Sequence, residues 1–462
     1  MVSTVSSDSI PLPHPPRRLP VLGDLLGVHV STPVQDSVRL ARQLGPIFER
    51  MVLGRRFVIV TGADMVEDLS DETRFMKHLA PAVEALRSIG GDGLFTAYSD
   101  EPNWRKAHDL LRPAFTQQAM RGYHDIMVDV ADHLVRHWTT RRRVDVSSDM
   151  TKLTLETIGR TAFSYSFDSF TRPRTHPFVE AMVRTLSHNQ RRALFSIPIV
   201  GDWWFRKRDR QNELDKSYMR DLLDDIVRAR RAGRTRGDGD LLDIMLDAAR
   251  GADPNALDEV NIRHQILTFL IAGHETTSGA LSFALYYLSR DPALWEQAKA
   301  EVDHVWGTDS PTFEQVGKLR LVRRVLDEAL RLWPTAPGFA REARQDTTIG
   351  NGHPMRAGDW VIVLIPGLHR DPKFWPDPEA FDPDRFLSVG VKARSPHAYK
   401  PWGTGERACI GRQFASHEAV LVLGTILQKF DVAPDPEYDL VIDERLTLMP
   451  KGFELQVSPR RR

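Results

Sequence analysis

The 462 residues carry 62 Lys and Arg against 62 Asp and Glu, so the formal net charge is zero and nothing argues for nucleic acid as a partner. A hydrophobic share of 41% is ample for a large core, and the single cysteine excludes an internal disulfide framework. No run of about 18 apolar residues exists to span a membrane, and Met1 to Pro20 lacks the apolar core of a signal peptide, so a soluble, cytoplasmic protein is expected.

Residues 1–20 are rich in Ser and Pro and read as an extended lead-in. The rest, 21–462, reads as one large domain, although the length would allow about three average ones. Asp36 to Leu44 has a short helical pattern. Phe48-Glu-Arg-Met-Val52 and Arg56-Phe-Val-Ile-Val60 read as two strands turning at Gly54, a hairpin. Helical stretches are expected over Met65–Leu69 and Val83–Ile89, followed by the loop Gly90-Gly-Asp-Gly-Leu-Phe95. From Asn103 to Thr139 helix and turn alternate, and Trp104 and His108, four apart, share a helix face. Residues 150–190 are helical in pattern. Ala193 to Phe205 is apolar, broken by Pro198 and Gly201, and basic clusters at Arg141–Arg143 and Arg228–Arg236 read as solvated faces or loops.

Asp258 to Arg290 contains no proline and predicts one helix of about 33 residues, about 50 Å long at 1.5 Å per residue. Asp258 or Asp253 is placed to cap its start, and Asp291-Pro292 stops it. Ile266–Ala272 and Leu281–Leu288 are apolar nearly all round, the mark of a buried central helix. Between them sits Gly273-His-Glu-Thr-Thr-Ser278. A carboxylate and hydroxyls in the middle of such a helix are costly without partners. They read as an acid–alcohol pair lining a cavity, or as a solvated notch facing another element.

Leu321 to Leu332 is amphipathic, with Glu328 and Arg331 on one face. Strand signals follow at Phe339–Arg344 and Trp360–Ile365, with a hairpin turn at Gly350-Asn-Gly352. The lone cysteine then appears in Lys400-Pro-Trp-Gly-Thr-Gly-Glu-Arg-Ala-Cys-Ile-Gly-Arg412, just before a further apolar helical pattern. Amide N–H groups of a glycine-rich turn and of a helix N-terminus both favour negative charge. A thiol there is expected to have a depressed pKa and to act as a metal ligand or nucleophile. Arg407 adds a cation able to pair with an anionic cofactor group.

The cysteine stretch resembles the heme-binding loop of the cytochrome P-450 family, where an aromatic residue, glycines, a basic residue, the ligand cysteine and a further glycine occur at fixed spacing. Trp402 stands where the family usually has Phe, and its indole N–H is expected to donate towards the thiolate. Ala272-Gly-His-Glu-Thr276 looks like the same family's oxygen-activation motif, and the two motifs lie about 130 residues apart. Glu328, Arg331 and the later Phe381-Asp-Pro-Asp-Arg-Phe386 resemble its Glu-x-x-Arg helix and downstream arginine. The resemblance runs from about Leu19 to Gln456 and is greatest to the heme domain of bacterial self-sufficient fatty-acid hydroxylases.

That resemblance implies a mainly α fold with a smaller β region, a long central helix over the heme, and heme b (iron protoporphyrin IX) ligated through the Cys409 thiolate. It implies heme contacts from Arg407, Trp402, Trp104, His108, Lys77 and Ala272. Thr276 would orient oxygen and water, Glu275 would relay protons, and Glu328, Arg331 and Arg385 would form a buried structural triad. Phe95 matches a position overhanging the heme, its alternative being an ordinary core phenylalanine. Arg55 matches a basic residue at the channel mouth that engages a fatty-acid carboxylate, whereas the relatives' tyrosine four residues later is Ile59 here. The apolar Phe195–Phe205 stretch departs from the relatives' polar sequence and would make the mouth greasier.

The implied activity is that of an O2-dependent monooxygenase hydroxylating subterminal positions of medium or long acyl chains, with polycyclic or secondary-metabolite substrates as the alternative. Electrons would come from an NADPH-dependent flavin reductase, fused to this heme domain or separate. A heme sensor or electron carrier would keep Cys409 but has no use for the acid–alcohol pair. His274, the only local candidate for a second iron ligand, points away from Ala272. A peroxide-driven enzyme would usually replace a residue of the Thr276 type.

Overall fold

The computed structural model describes residues 11–461 apart from 21, 28, 30, 173–175, 195–199, 234–238 and 252. The chain divides into two units. The first holds the residues up to Ala80, Arg331–Phe381 and Phe386–Ala408. The second holds Pro81–Leu330, Asp382–Arg385 and Cys409 onward.

The first unit is built on a five-stranded sheet in the order Ile47–Val52, Arg55–Val60, Trp360–Leu364, Gly338–Ala343, Phe75–His78. The expected hairpin is its edge. Leu53 and Gly54 turn it with φ of +50° and +77°, the two positive values that match the twist of the flanking strands. Alternation then sorts the side chains. Val58 and Val60 join Met65, Val66, Leu69, Phe75, Val361 and Val363 on one side. Phe48 and Ile59 join Leu364 on the other, against Val34, Val38 and Leu44 of the helix Pro33–Leu44. No local pattern marks the strand Phe75–His78. It has four residues and pairs antiparallel with Gly338–Ala343, so its pairing and not its pattern makes it a strand. The lead-in is tied down at Glu49, whose N–H donates to Pro13 O at 2.9 Å, while Arg18 pairs with Glu49 at 2.7 Å.

The second unit is helical, with a three-stranded sheet (Arg143–Asp145, Glu454–Pro459, Phe430–Pro434) and the hairpin Ile442–Glu444 with Leu448–Pro450. Its long helix spans Glu259–Arg290. Asp258 Oδ1 accepts the Asn261 N–H at 2.7 Å, so Asp258 and not Asp253 is the cap. Asp291 ends the helix and caps the next one, Pro292–Trp306, through the Leu294 N–H at 2.9 Å. The helix Val146–Phe163 packs closely on the long helix at Gly273, where a Cβ would come within 3.1 Å of Ile158. Among the described residues no helix is long and apolar enough to cross a membrane.

Two expected helices are broken. Val83–Ile89 forms two single turns, Pro81–Glu84 and Arg87–Gly90. The 150–190 stretch is interrupted after Phe163, where Ser164 takes a left-handed φ of +48°. The apolar run at Phe195–Phe205 falls outside the residues whose side chains are described, and only its backbone from Val200 onward is seen, in the helix Val200–Arg231.

Glu328 and Arg331 are both 0% exposed on the helix Arg320–Leu332. Glu328 accepts the Asp382 N–H at 2.9 Å and lies 3.4 Å from Arg385 Nε. Arg331 donates to the carbonyls of His369, Pro378 and Ala380 at 3.0, 2.8 and 2.9 Å and lies over the Trp375 ring. Removing a partner from a buried charge costs more than the pair contributes. Glu328→Ala is therefore expected to lower unfolding stability by about 3–5 kcal/mol in urea titration. Arg228→Ala, which breaks an exposed pair with Asp225 at the same spacing, should change it little. Equal effects of the two substitutions would remove the buried-charge account.

Candidate functional site

The cysteine loop is shaped by two glycines. Gly403 and Gly405 have φ of +74° and +65°, and a Cβ on Gly405 would lie 2.1 Å from Glu72 Oε1. That carboxylate also accepts the Glu406 N–H at 2.9 Å, which pins the turn before the cysteine. Gly411 then caps the helix Arg412–Lys429. Cys409 is exposed to solvent yet closely surrounded by protein, as the wall of an internal hollow would be. The expected depression of its pKa is not found. Burial pushes the thiol up, outweighing the Gly411 N–H and the Arg412 charge that favour the thiolate. Without a metal the group is a thiol.

On the long helix the residues around the polar interruption differ sharply in exposure. Ala272 is exposed and Thr276 half-buried, whereas Ile271, His274, Glu275 and Thr277 are buried. An exposed alanine inside an otherwise buried helix marks a face opening on a hollow. Thr276 Oγ1 donates to Ala272 O at 2.6 Å, competing for a helix carbonyl. Glu275 is turned elsewhere, its Oε2 accepting from Thr447 Oγ1 at 3.2 Å. The acid and the alcohol therefore do not line one wall together, a correction to the reading from the sequence. Thr447 lies far along the chain, and no local pattern points to it. His274 is 0% exposed and donates from Nδ1 to Leu270 O at 2.6 Å, and burial lowers its pKa. It does point away from Ala272.

An aromatic pair connects this helix to the cysteine. Phe269 stacks on Phe115 with ring centroids 5.5 Å apart. Phe115 and Cys409 Sγ each lie 4.0 Å from where a Gly411 Cβ would stand.

Trp104 and His108 share a face as expected and stack at 5.1 Å, with Arg105 over the Trp104 ring. Lys77, on the strand Phe75–His78, is pushed down to about 7, mainly by burial and then by the charge of Arg407. Trp402 Nε1 is buried with no hydrogen-bond partner, so the donation expected towards the cysteine is not made. Phe95 is 38% exposed, which excludes the ordinary-core reading. Arg55 is exposed at its strand's start, while Ile59 is core beside Phe48 and Leu364. The structure thus gathers the candidates in two sets: Cys409, Ala272 and Thr276 in the second unit, Lys77 and Arg407 in the first.

A Cytochrome P450 family profile matches residues 13–457. The chain belongs to the cytochrome P450 family. It is 43% identical over 454 residues to a bifunctional cytochrome P450/NADPH–P450 reductase of Bacillus cereus, covering 96% of this chain and 42% of that protein. It is 44% identical over 433 residues to the bifunctional cytochrome P450/NADPH–P450 reductase 2 of Bacillus subtilis, covering 92% of this chain and 40% of that one. A self-sufficient cytochrome P450 monooxygenase of Phanerodontia chrysosporium is 39% identical over 460 residues, at 97% and 43% coverage. The chain spans about two-fifths of the length of these curated relatives.

The P450 family uses heme b on a cysteine thiolate, and Cys409 is the only cysteine in the chain. The residues fit that group. The cysteine is reachable inside a protein wall, and the accessible Ala272 leaves room on the long helix. Burial and then the charge of Arg407 push the Lys77 ammonium down, and an anionic group of the cofactor near it would favour its charged form. Iron coordination would in turn ionise the thiol, since only the thiolate is a ligand.

A further acid sits within the apolar pattern of the P450 cysteine helix, which hides it from a local reading. Glu418 is 1% exposed, and neither carboxylate oxygen has a hydrogen-bond partner. Nearby Thr157 lowers its pKa only slightly against burial, its hydroxyl donating to Leu153 O at 3.0 Å. Burial pushes Glu418 up to about 8 from an ordinary 4.5. Between those values the folded state holds a proton that the unfolded chain releases, so this group makes stability fall as pH rises. Glu418→Gln should flatten the decline of the urea midpoint between about pH 5 and 8. An unchanged slope would show that the carboxyl is not held protonated.

Proposed function

We propose that this P450 chain is the heme domain of a monooxygenase that hydroxylates C–H bonds of medium or long acyl chains, with residues 21–462 as the functional domain. Cys409 would hold the iron, with Lys77, Arg407, Trp104, His108 and Trp402 as further contacts and Ala272 leaving the opposite face clear. When bound, heme supplies the oxygen-activating redox chemistry. The electrons would come from a flavin reductase, fused or separate, as the bifunctional relatives' names suggest.

The exposed Ala272 and half-buried Thr276, on a helix otherwise buried there, carry this reading. An electron carrier has no need of an open distal face, and His274 is turned away from it. With its proton on Ala272 O, the Thr276 hydroxyl keeps lone pairs free to accept from a water and so hold it in line for proton delivery. Glu275 reaches that water only by leaving Thr447, so its part in the relay would be slower. Thr276→Ala should raise the hydrogen peroxide released per reductant oxidised, with Glu275→Gln doing so less. An unchanged ratio in Thr276→Ala would sink the proton-delivery role.

The exposed Phe95 and Arg55 support an acyl chain as the ligand, and the buried Ile59 leaves Arg55 without the relatives' second polar anchor. A rim charge on a carboxylate contributes at most about 1 kcal/mol, whereas each buried CH₂ contributes about 0.8. Chain length should therefore dominate over head group. In titrations followed by the heme spectral shift, a fatty acid and the alcohol of equal length should bind within about tenfold of one another, both tightening as the chain grows. If neither perturbs the heme while a compact polycyclic ligand does, the acyl reading fails and the polycyclic alternative takes its place.

A further inference from the structure

The loop that carries Phe95 is fastened to the long helix by one carboxylate. Asp92 Oδ1 meets Asn261 Nδ2 at 2.8 Å and His264 Nδ1 at 2.9 Å, and Asp92 Oδ2 accepts from Asn103 Nδ2 at 2.6 Å. Asn261 also donates to Asp92 O at 3.3 Å, and its own Oδ1 accepts from Gln265 Nε2 at 2.8 Å. Gln265 Oε1 then takes the Leu94 N–H at 3.0 Å, immediately before Phe95. Asn261 and Gln265 are buried at 1% and 0% exposure and the bond between them is shielded from water, whereas Asp92 and His264 keep 25% and 23% side-chain exposure. Asp92 stays ionised, its pKa held down against burial by Asn103, His264 and Asn261.

The loop's backbone lies hard against the helix. A Cβ on Gly91 would fall 2.0 Å from His264 Cε1, and one on Gly93 would fall 2.4 Å from Thr268 Oγ1. A side chain at Gly91 would displace the His264 ring, and one at Gly93 would also press on the carbonyls of Gly90 and His264 at 3.0 Å. His264, Thr268, Ala272 and Thr276 follow one another at intervals of four, so they form a single stripe with about 6 Å between successive residues. The latch therefore grips the ridge that carries the accessible Ala272 about two turns, and the half-buried Thr276 about three turns, further on.

We propose that Asp92 and His264 are positioning residues, a latch that holds the Phe95 loop at one place along the long helix and so restricts which carbon of the acyl chain is oxidised. The inference rests on the acyl-chain reading above. His264 acts through the loop and not on the substrate, and the loop's glycines let it sit close enough for that bond.

The test uses the full heme-loaded chain with His264→Phe, which keeps a ring but no donor, His264→Gln, which restores one N–H donor, and Phe95→Ala. Amide hydrogen exchange over residues 90–97 should rise about tenfold or more in His264→Phe and return towards the parent in His264→Gln, as expected for loss and recovery of a hydrogen bond to a charged group. With a saturated fatty acid as probe, His264→Phe should spread the hydroxylation over neighbouring carbons. The double variant with Phe95→Ala should spread it no further than Phe95→Ala alone. Unchanged exchange overturns the latch, and faster exchange with an unchanged product pattern overturns its positioning role. If the parent oxidises no acyl chain, that failure belongs to the substrate reading, and the exchange comparison alone decides the latch.

Discussion

Burying the middle of a 32-residue helix is the constraint from which the rest follows. Polar groups placed there need specific partners. Thr154 Oγ1 donates to the His274 carbonyl at 2.9 Å, Glu275 is met by Thr447, and Ser278 Oγ turns back to the Glu275 carbonyl at 3.1 Å. These contacts fix the helix in rotation, and Gly273 fixes its closeness to Val146–Phe163. What they leave uncovered, Ala272 and Thr276, is the opening. The accessible face is thus defined by the packing that stops on either side of it.

Charge is handled in two ways that separate scaffold from site. Arg331 is encircled by carbonyls and Glu328 holds a backbone N–H and an arginine, so both charges are complete within the protein. Lys77 differs, because burial and then the charge of Arg407 push its ammonium down to about 7. Cys409 is similar: burial favours its neutral form, and a metal would reverse that. Groups that are costly in the protein alone and relieved by a ligand belong to a binding site. Groups already relieved belong to the frame.

Much of the architecture was legible because its signals are local. The hairpin at Leu53-Gly54, the Asp258 and Asp291 caps and the helix after Cys409 each depend on residues within one turn or one strand. The two motifs were legible as well, since fixed spacing is a property of the chain. Two stretches were not legible, each for its own reason. Val83–Ile89 has helical periodicity but is too short to hold a helix against the close glycine-rich turn that follows. Phe75–His78 has no pattern of its own and is a strand only through its partner.

The sequence by itself determined the two motifs and their local setting: Cys409 in a glycine-rich loop before a helix, and Ala272-Gly-His-Glu-Thr276 within an apolar one. Tertiary structure alone decided how those groups behave. It set the direction of the Cys409 pKa, turned Glu275 to Thr447, left Trp402 Nε1 without a partner, buried Glu418 unpaired and exposed Phe95. The physical reason is that identity and periodicity are read within a few residues, whereas desolvation and hydrogen bonding depend on what packs from far along the chain. Thr447 meets an acid 172 positions before it, and no local window contains both.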